Sequence, residues 1–286
     1  MANETVHADG VNIDALLDDA IMEHLRAQIT VLNWVHRVSF ERGSDSKKLR
    51  KRGSFTATTA AEATPHAKSQ YKQVHLGTLA VQEVKVYAEL SDKGRDFSMI
   101  TVDEMAIEGA LAVMDKVEQD ACGLFDGFST DVGLTLTALN AKTLRRALYN
   151  LRVNNVPGPY VFVLHPTQID DVQDHIQDAG AANWGNPNVD FSILNGAPIR
   201  ENGLAGSYLQ VPVYSTTNVE GINTDDDWCG AALNPMRAIA FGEDGRGIRS
   251  RLDEDIEAGV TQIAVSMFYD VEEREDEALV QIISAQ

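Results

Sequence analysis

The chain has 286 residues, 44% of them hydrophobic, and its 24 Lys and Arg face 43 Asp and Glu for a formal net charge of -19. That apolar share supplies the core of one large or two modest domains and excludes a disordered chain. An acidic average repels phosphate backbones, which argues against sequence-specific or wrapping nucleic-acid binding by the surface as a whole.

No apolar run reaches the roughly eighteen residues of a membrane span, and MANETVHADG has neither the basic flank nor the apolar stretch of a secretory signal. Synthesis and assembly in a cytoplasm are expected. Two cysteines, Cys122 in a helical pattern and Cys229 in a loop-like stretch, are too few for a disulfide framework and wrongly spaced for a zinc cluster.

In chain order, Ile13, Leu16, Leu17, Ala20, Ile21, Leu25 and Ile29 keep a helical spacing, which predicts an amphipathic helix over 12–30 capped by Asn12. The stretch 42–73 then has few large aliphatics and no 3.6 periodicity, so it cannot bury enough apolar surface to be a core element. It is either a disordered loop or an extended hairpin that borrows its order from neighbouring chains. Alternating VKVYAEL, with Val84, Val86, Ala88 and Leu90 on one side, predicts a strand leading back into the body.

Thr101 and Glu104 have the spacing of a capping box and open the clearest helix, from 102 to about 125 and roughly 35 Å long. Its apolar stripe runs through Val102, Ala106, Ala110, Val113, Val117, Ala121 and Leu124; Glu104, Glu108, Asp115 and Gln119 mark the wet face. Beyond it the pattern alternates: a helix over 140–155, a buried strand VFVL, a helix from about Thr167 to Gln177, and a strand LQVPVYST. The loop-rich GAANWGNPNVDFSILNGAPIRENG lies between the last two, and TQIAVSMFY and ALVQIIS close the chain as strands.

A search for chemistry finds little. The glycines of FGEDGRG are in the wrong order for a dinucleotide fingerprint, and Glu243 and Asp244 among them would repel a pyrophosphate, so a turn is expected. No phosphate-loop, nucleophile-elbow or H-E-x-x-H pattern occurs. His165 and His175 bracket Asp170, Asp171 and Asp174, but acids in the first turns of a helix complement its dipole, which is preferred to a metal or acid-base cluster. The run Asp225, Asp226, Asp227 lacks the spaced ligands of a calcium loop and reads as solvated. No catalytic, cofactor or metal residues are assigned.

Taken together, EATPHAKSQYKQVHLGTLAVQEVKVYAELSDKGRDF, TVDEMAIEGALAVMDKVEQDACGLF, NNVPGPYVFVLHPTQIDDV, LQVPVYSTTNV and LNPMRAIAFGEDGRGIRSRLDEDIEAGVTQIAVSMFYDVEERED resemble, in order and spacing, the major capsid proteins of tailed bacteriophages. That is the HK-ninety-seven-type family, whose fold is shared with encapsulins. The resemblance implies an α+β fold: an N-terminal arm (1–40), an extended E-loop hairpin (41–82), a peripheral domain with a long spine helix (83–128), an α/β axial domain (129–232), a peripheral-domain return (233–272) and a C-terminal strand (273–286).

It further implies a non-enzymatic subunit that assembles with itself as pentamers and hexamers into the icosahedral shell of a virion. Expected partners are a portal, separate scaffolding or decoration proteins, and packaged double-stranded DNA bound without sequence specificity; no cofactor and no membrane are expected. The alternatives are an encapsulin-like compartment and, from another class, a soluble α/β enzyme. Some family members fuse an E-loop Lys to an Asn of the next subunit. Here Lys47, Lys48, Lys51, Lys68 and Lys72 are at hand, but Asn234 is the only Asn in the closing region, so no cross-link is expected.

Charge is unevenly placed. Arg42, Lys47, Lys48, Arg50, Lys51 and Arg52 crowd one segment, while LDEDIE and VEEREDE are acidic. The expectation is that this basic segment meets Asp253, Glu254, Asp255 or Glu257 of an adjacent copy; contact with the genome is the competing view.

Overall fold

The computed structural model describes residues 31–41, 43–51, 74–97, 101–180, 204–219, 221–222, 227–255 and 257–285. The expected helix over 12–30, Arg42, Arg52, the stretch to 73, the loop over 181–203, and Asp225 and Asp226 lie outside them.

One sheet is built around β13 (Val260–Glu273), whose alternating apolar and polar residues run for 14 positions. On one side it pairs with β4 (Gln82–Ser91). On the other it pairs first with β12 (Arg249–Asp255) and then with β11 (Ile239–Glu243), which are collinear and interrupted only at 244–248. That interruption is the FGEDGRG turn: Gly247 donates its N–H to Asp244 O and sits at φ +65°, where glycine carries no steric penalty. β1 (His36–Ser39), which the sequence pattern does not announce, adds in parallel to β11.

Helix α1 (Asp92–Phe97) follows β4, and α2 (Val102–Gly123) crosses the sheet. The capping box forms as read: the Glu104 N–H donates to Thr101 Oγ1 and the Thr101 N–H to Glu104 Oε2. Ala106, Ala110, Val113, Val117 and Ala121 are fully buried, and the acidic face stays exposed. The small side chains let the helix lie close. A Cβ on Gly109 would come within 3.1 Å of Val265 and 3.8 Å of Val86.

The second sheet has seven strands: β5 (Asp131–Gly133), β6 (Val161–Leu164), β7 (Leu204–Tyr208), β8 (Val211–Ser215), β9 (Gly221–Ile222), β10 (Asp227–Leu233) and β14 (Leu279–Ser284). Their order is β5-β14-β10-β6-β8-β7, with β9 beside β10. The expected strand over LQVPVYST starts two residues late. Leu209 and Gln210 both take positive φ and form a two-residue hairpin turn, whose twist matches the flanking strands.

Helix α3 (Ala141–Val153), capped by Asn140, buries Leu144, Ala147, Leu148 and Leu151 towards β14 and β10, each of the leucines worth about 1.5–3 kcal/mol. Helix α4 (Pro166–Gly180) follows β6. The chain crosses from the second sheet to the first through the short α5 (Pro235–Ala238) and returns from β13 to β14. One apolar core runs through both sheets.

The last two short strands form a separate sheet. β2 (Ser46–Lys51) pairs antiparallel with β3 (Val74–Ala80), a hairpin whose 22 intervening residues, 52–73, are not among those described.

Candidate functional site

Three candidate sites read from the sequence resolve into structural roles. His165 stacks on Trp228 at 3.6 Å between ring centroids and shares a hydrogen bond with Thr167, and burial lowers its pKa, so it is a neutral packing residue. Asp170, Asp171 and Asp174 are not in the first turn, because α4 already begins at Pro166; Asp171 instead accepts the Leu139 N–H. Asp227 is a correction: far from solvated, it is fully buried at the start of β10 and accepts the N–H of Leu136. Among the described residues no group of three His, Cys, Asp or Glu is placed to hold a metal ion, and no helix is long and apolar enough to cross a membrane.

The cysteines are both buried thiols. Cys229 lies in β10 and not in a loop, and burial with the nearby Asp126 pushes its pKa up to about 12, so it stays protonated and inert.

What stands out is the hairpin and how it is held. Among the described residues only Leu49, Leu79 and Ala240, with Val38, Phe40 and Leu76 partly buried beside them, form its apolar anchor, apart from the main core. Where β3 runs past the end of β13, Asp270 Oδ2 accepts the Ala80 N–H at 2.5 Å and Oδ1 accepts the Val271 N–H. The neighbouring Tyr269 hydroxyl donates to Asp120 on α2, tying the same end of β13 to the long helix. Burial raises the carboxyls of Asp270, Glu272 and Glu273. Nothing in MFYDVEE marks Asp270 as an anchor in the sequence; its role follows from the strand that passes it.

The basic residues expected at this site are divided. Lys47 already donates to Ser39 O at 2.8 Å and lies 3.9 Å from Glu41; Lys48 is exposed; Arg50 is exposed and has a partner within the chain. Lys51 ends β2, and Arg42 and Arg52 are outside the described residues. The acidic set sits elsewhere: Asp253, Glu254 and Asp255 are exposed on β12, an edge strand, and Asp255 accepts the N–H groups of Glu257 and Ala258. Asp253 pairs with Gln262, eight residues along β13 from Asp270, or about 26 Å at 3.3 Å per residue. No ion pair joins the two sets within the subunit among the described residues.

Asn234 is committed as well. It is 3% exposed, its Oδ1 accepts the Met236 N–H and its amide donates to Pro157 O. Another buried amide missed in the sequence, Gln168, donates to Ile282 O and Ser284 Oγ while accepting the His165 N–H, stapling α4 to the sheet.

No protein-family model matches the chain, and no curated protein matches it. Solved structures do. The chain is similar to a subunit in the asymmetric unit of the bacteriophage PhiM1 mature capsid, with a TM-score of 0.66 at 10% identity over 89% of this chain and 86% of that one. The capsid of Ralstonia phage GP4 gives 0.65 at 9% identity over 88% and 87%. The holo-SrpI encapsulin complex of Synechococcus elongatus gives 0.60 at 12% over 89% and 86%.

Proposed function

We propose that this chain, which has the HK-ninety-seven-type capsid fold, is a shell-building subunit: the major capsid protein of a tailed bacteriophage. In this reading the sheet around β13 with α2 is the peripheral domain, the seven-stranded sheet the axial domain, and the β2–β3 hairpin the base of the E-loop. Copies close as pentamers and hexamers around double-stranded DNA in the virion, after assembly in the host cytoplasm with a portal and scaffolding or decoration proteins. No reaction is assigned to it.

The observation that carries the reading is the hairpin. Among the described residues the hairpin is held to its own sheet by an apolar anchor of only three buried residues, apart from the main core. A lone two-stranded hairpin is marginal in water, so it gains its stability by lying on something else. A neighbouring copy offers that surface in every ring.

Lys48 with the rest of its basic segment is proposed to meet Asp253, Glu254, Asp255 or Glu257 of the adjacent copy. Each exposed pair is worth only about 0–1 kcal/mol and is weakened by salt, but repetition over a shell sets assembly rate and register.

The test is assembly of the purified protein, read by size-exclusion chromatography and electron microscopy. Uniform shells are expected, and a small oligomer at every concentration would favour an enzyme and overturn the reading. Lys47, Lys48, Arg50 and Lys51 changed to Glu should then block assembly, with partial rescue by Asp253, Glu254 and Asp255 changed to Lys. Normal empty shells that package poorly would instead assign the basic segment to the genome. The likeness to SrpI keeps an encapsulin-like compartment as a second reading; shells filled with a protein cargo and no nucleic acid would select it.

A further inference from the structure

The two long helices of the seven-stranded sheet carry opposite charge. Helix α3 reads AKTLRRALYNLRV, with four cations and no carboxylate, in a chain whose net charge is -19. Helix α4 reads PTQIDDVQDHIQDAG, with four aspartates and neither Lys nor Arg. Segregation this complete is the opposite of the interspersed signs of an ordinary solvated surface.

On α3, Lys142, Arg145, Arg146 and Arg152 are all exposed, and their spacing places them along one side of the helix, opposite the buried leucines. On α4, Asp170 and Asp174 are exposed one turn apart. The two helices adjoin within the subunit, yet among the described residues no ion pair connects the cations of one to the carboxylates of the other. Tyr149 is 64% exposed and Val153 is 55% exposed within the basic stripe, which gives it apolar area as well as charge. Tyr and Arg together are the residues that interface centres favour.

We propose that α3 of one copy docks against α4 of the next around a ring, with Lys142, Arg145 and Arg146 facing Asp170 and Asp174. This contact rests on the shell reading above. A cyclic assembly needs a heterologous contact, in which two different surfaces of one subunit are complementary to each other, and these helices are such a pair. A nucleic acid would account for α3 alone and would be repelled by α4 beside it. A second copy accounts for both.

The test uses the full chain with one helix reversed at a time: K142E/R145E/R146E, and separately D170K/D174K. Each variant alone is expected to lose shell-sized material under conditions where the wild type assembles, and the five substitutions together are expected to restore it. Mixing the two one-sided variants gives a sharper readout. They can alternate around a ring of six but not around a ring of five, so the mixture should give hexamers, sheets or tubes and no closed shells. Normal filled shells from either one-sided variant would overturn the proposal while leaving the shell reading intact. So would a combined variant that stays folded by circular dichroism yet fails to assemble. Intact shells from K142E/R145E/R146E that have lost their nucleic acid would transfer the basic stripe to the genome and also overturn it. A wild-type protein that forms no shells would remove the shell reading, and this contact with it.

Discussion

The long helix α2 and the β2–β3 hairpin both lie against the sheet around β13, and they are held in different ways. α2 buries five small residues completely and joins the main core; the hairpin contributes Leu49 and Leu79 to a separate cluster and shows solvent the charged Lys48 and Arg50. Buried apolar area stabilises a subunit whether or not it has neighbours, whereas a strand pair with little of it depends on what it touches. The comparison teaches that the stability of the body and the hold on the hairpin reside in separate regions, so that mutations should separate them too.

The strongest way to break that comparison is Val113→Asp, which places a carboxylate where the side chain is fully buried among apolar partners. The cost is several kcal/mol, on the order of a large fraction of a domain's stability. Insoluble or unfolded protein is expected, read from the soluble fraction and the far-ultraviolet circular dichroism. Soluble protein with a wild-type melt would mean that the helix stripe faces water.

Leu79→Ala tests the other side. Leu79 is fully buried in its small cluster, so its truncation should cost about 2–4 kcal/mol, but locally. Melting of the body should hardly move, while limited proteolysis between β2 and β3 accelerates and assembly fails. A fall in whole-subunit melting as large as that expected for α2 would show the two regions to be one cooperative unit.

A smaller effect concerns pH at the junction of hairpin and body. Burial raises the carboxyls of Asp270, Glu272 and Glu273 above their ordinary values of 3.8 and 4.5, although the N–H groups of Ala80 and Val271 pull Asp270 the other way. In the window above those values the folded chain therefore binds more protons than the unfolded one. The stability these groups contribute is complete below the ordinary values and is lost as pH rises through the folded ones. Relative to a variant carrying Asp270→Asn, Glu272→Gln and Glu273→Gln, the wild-type Tm should rise as the pH is lowered towards the ordinary carboxylate values. Calorimetry of unassembled subunits measures it, and a relative fall on acidification would reverse the assigned direction.

The smallest expected effect is none at all. Asn234 is buried and spends its side chain on capping α5 and on Pro157 O, so it is not presented to a lysine of another copy. Assembled particles boiled in detergent should give one monomer band, and a ladder of multimers would contradict this.

The sequence by itself determined the elements whose order is local. The capping box at Thr101 and Glu104, the stripe through Val113, the alternation in β4, the β-branched and apolar run of β13 and the buried strand VFVL each follow from local pattern and short-range hydrogen bonding, and each stands where it was expected. So, in part, was the candidate assembly surface: the basic segment and its shortage of large aliphatics were legible, and the acidic run at 253–257 likewise, whereas the burial of Leu49 was not.

Tertiary structure alone decided the rest, because burial and pairing depend on what a segment meets at long range. β1 and β12 lack an apolar alternation and are strands only because β11 and β13 offer them an edge. Asp227 reads as one of three solvated acids until β10 is packed against β14 and β6, and Asp270 becomes an anchor only when β3 passes it. The opposed charges of α3 and α4 were present in the letters, but their meaning required the fold. It exposes charged residues of both helices and, among the described residues, joins no charge of one to a charge of the other.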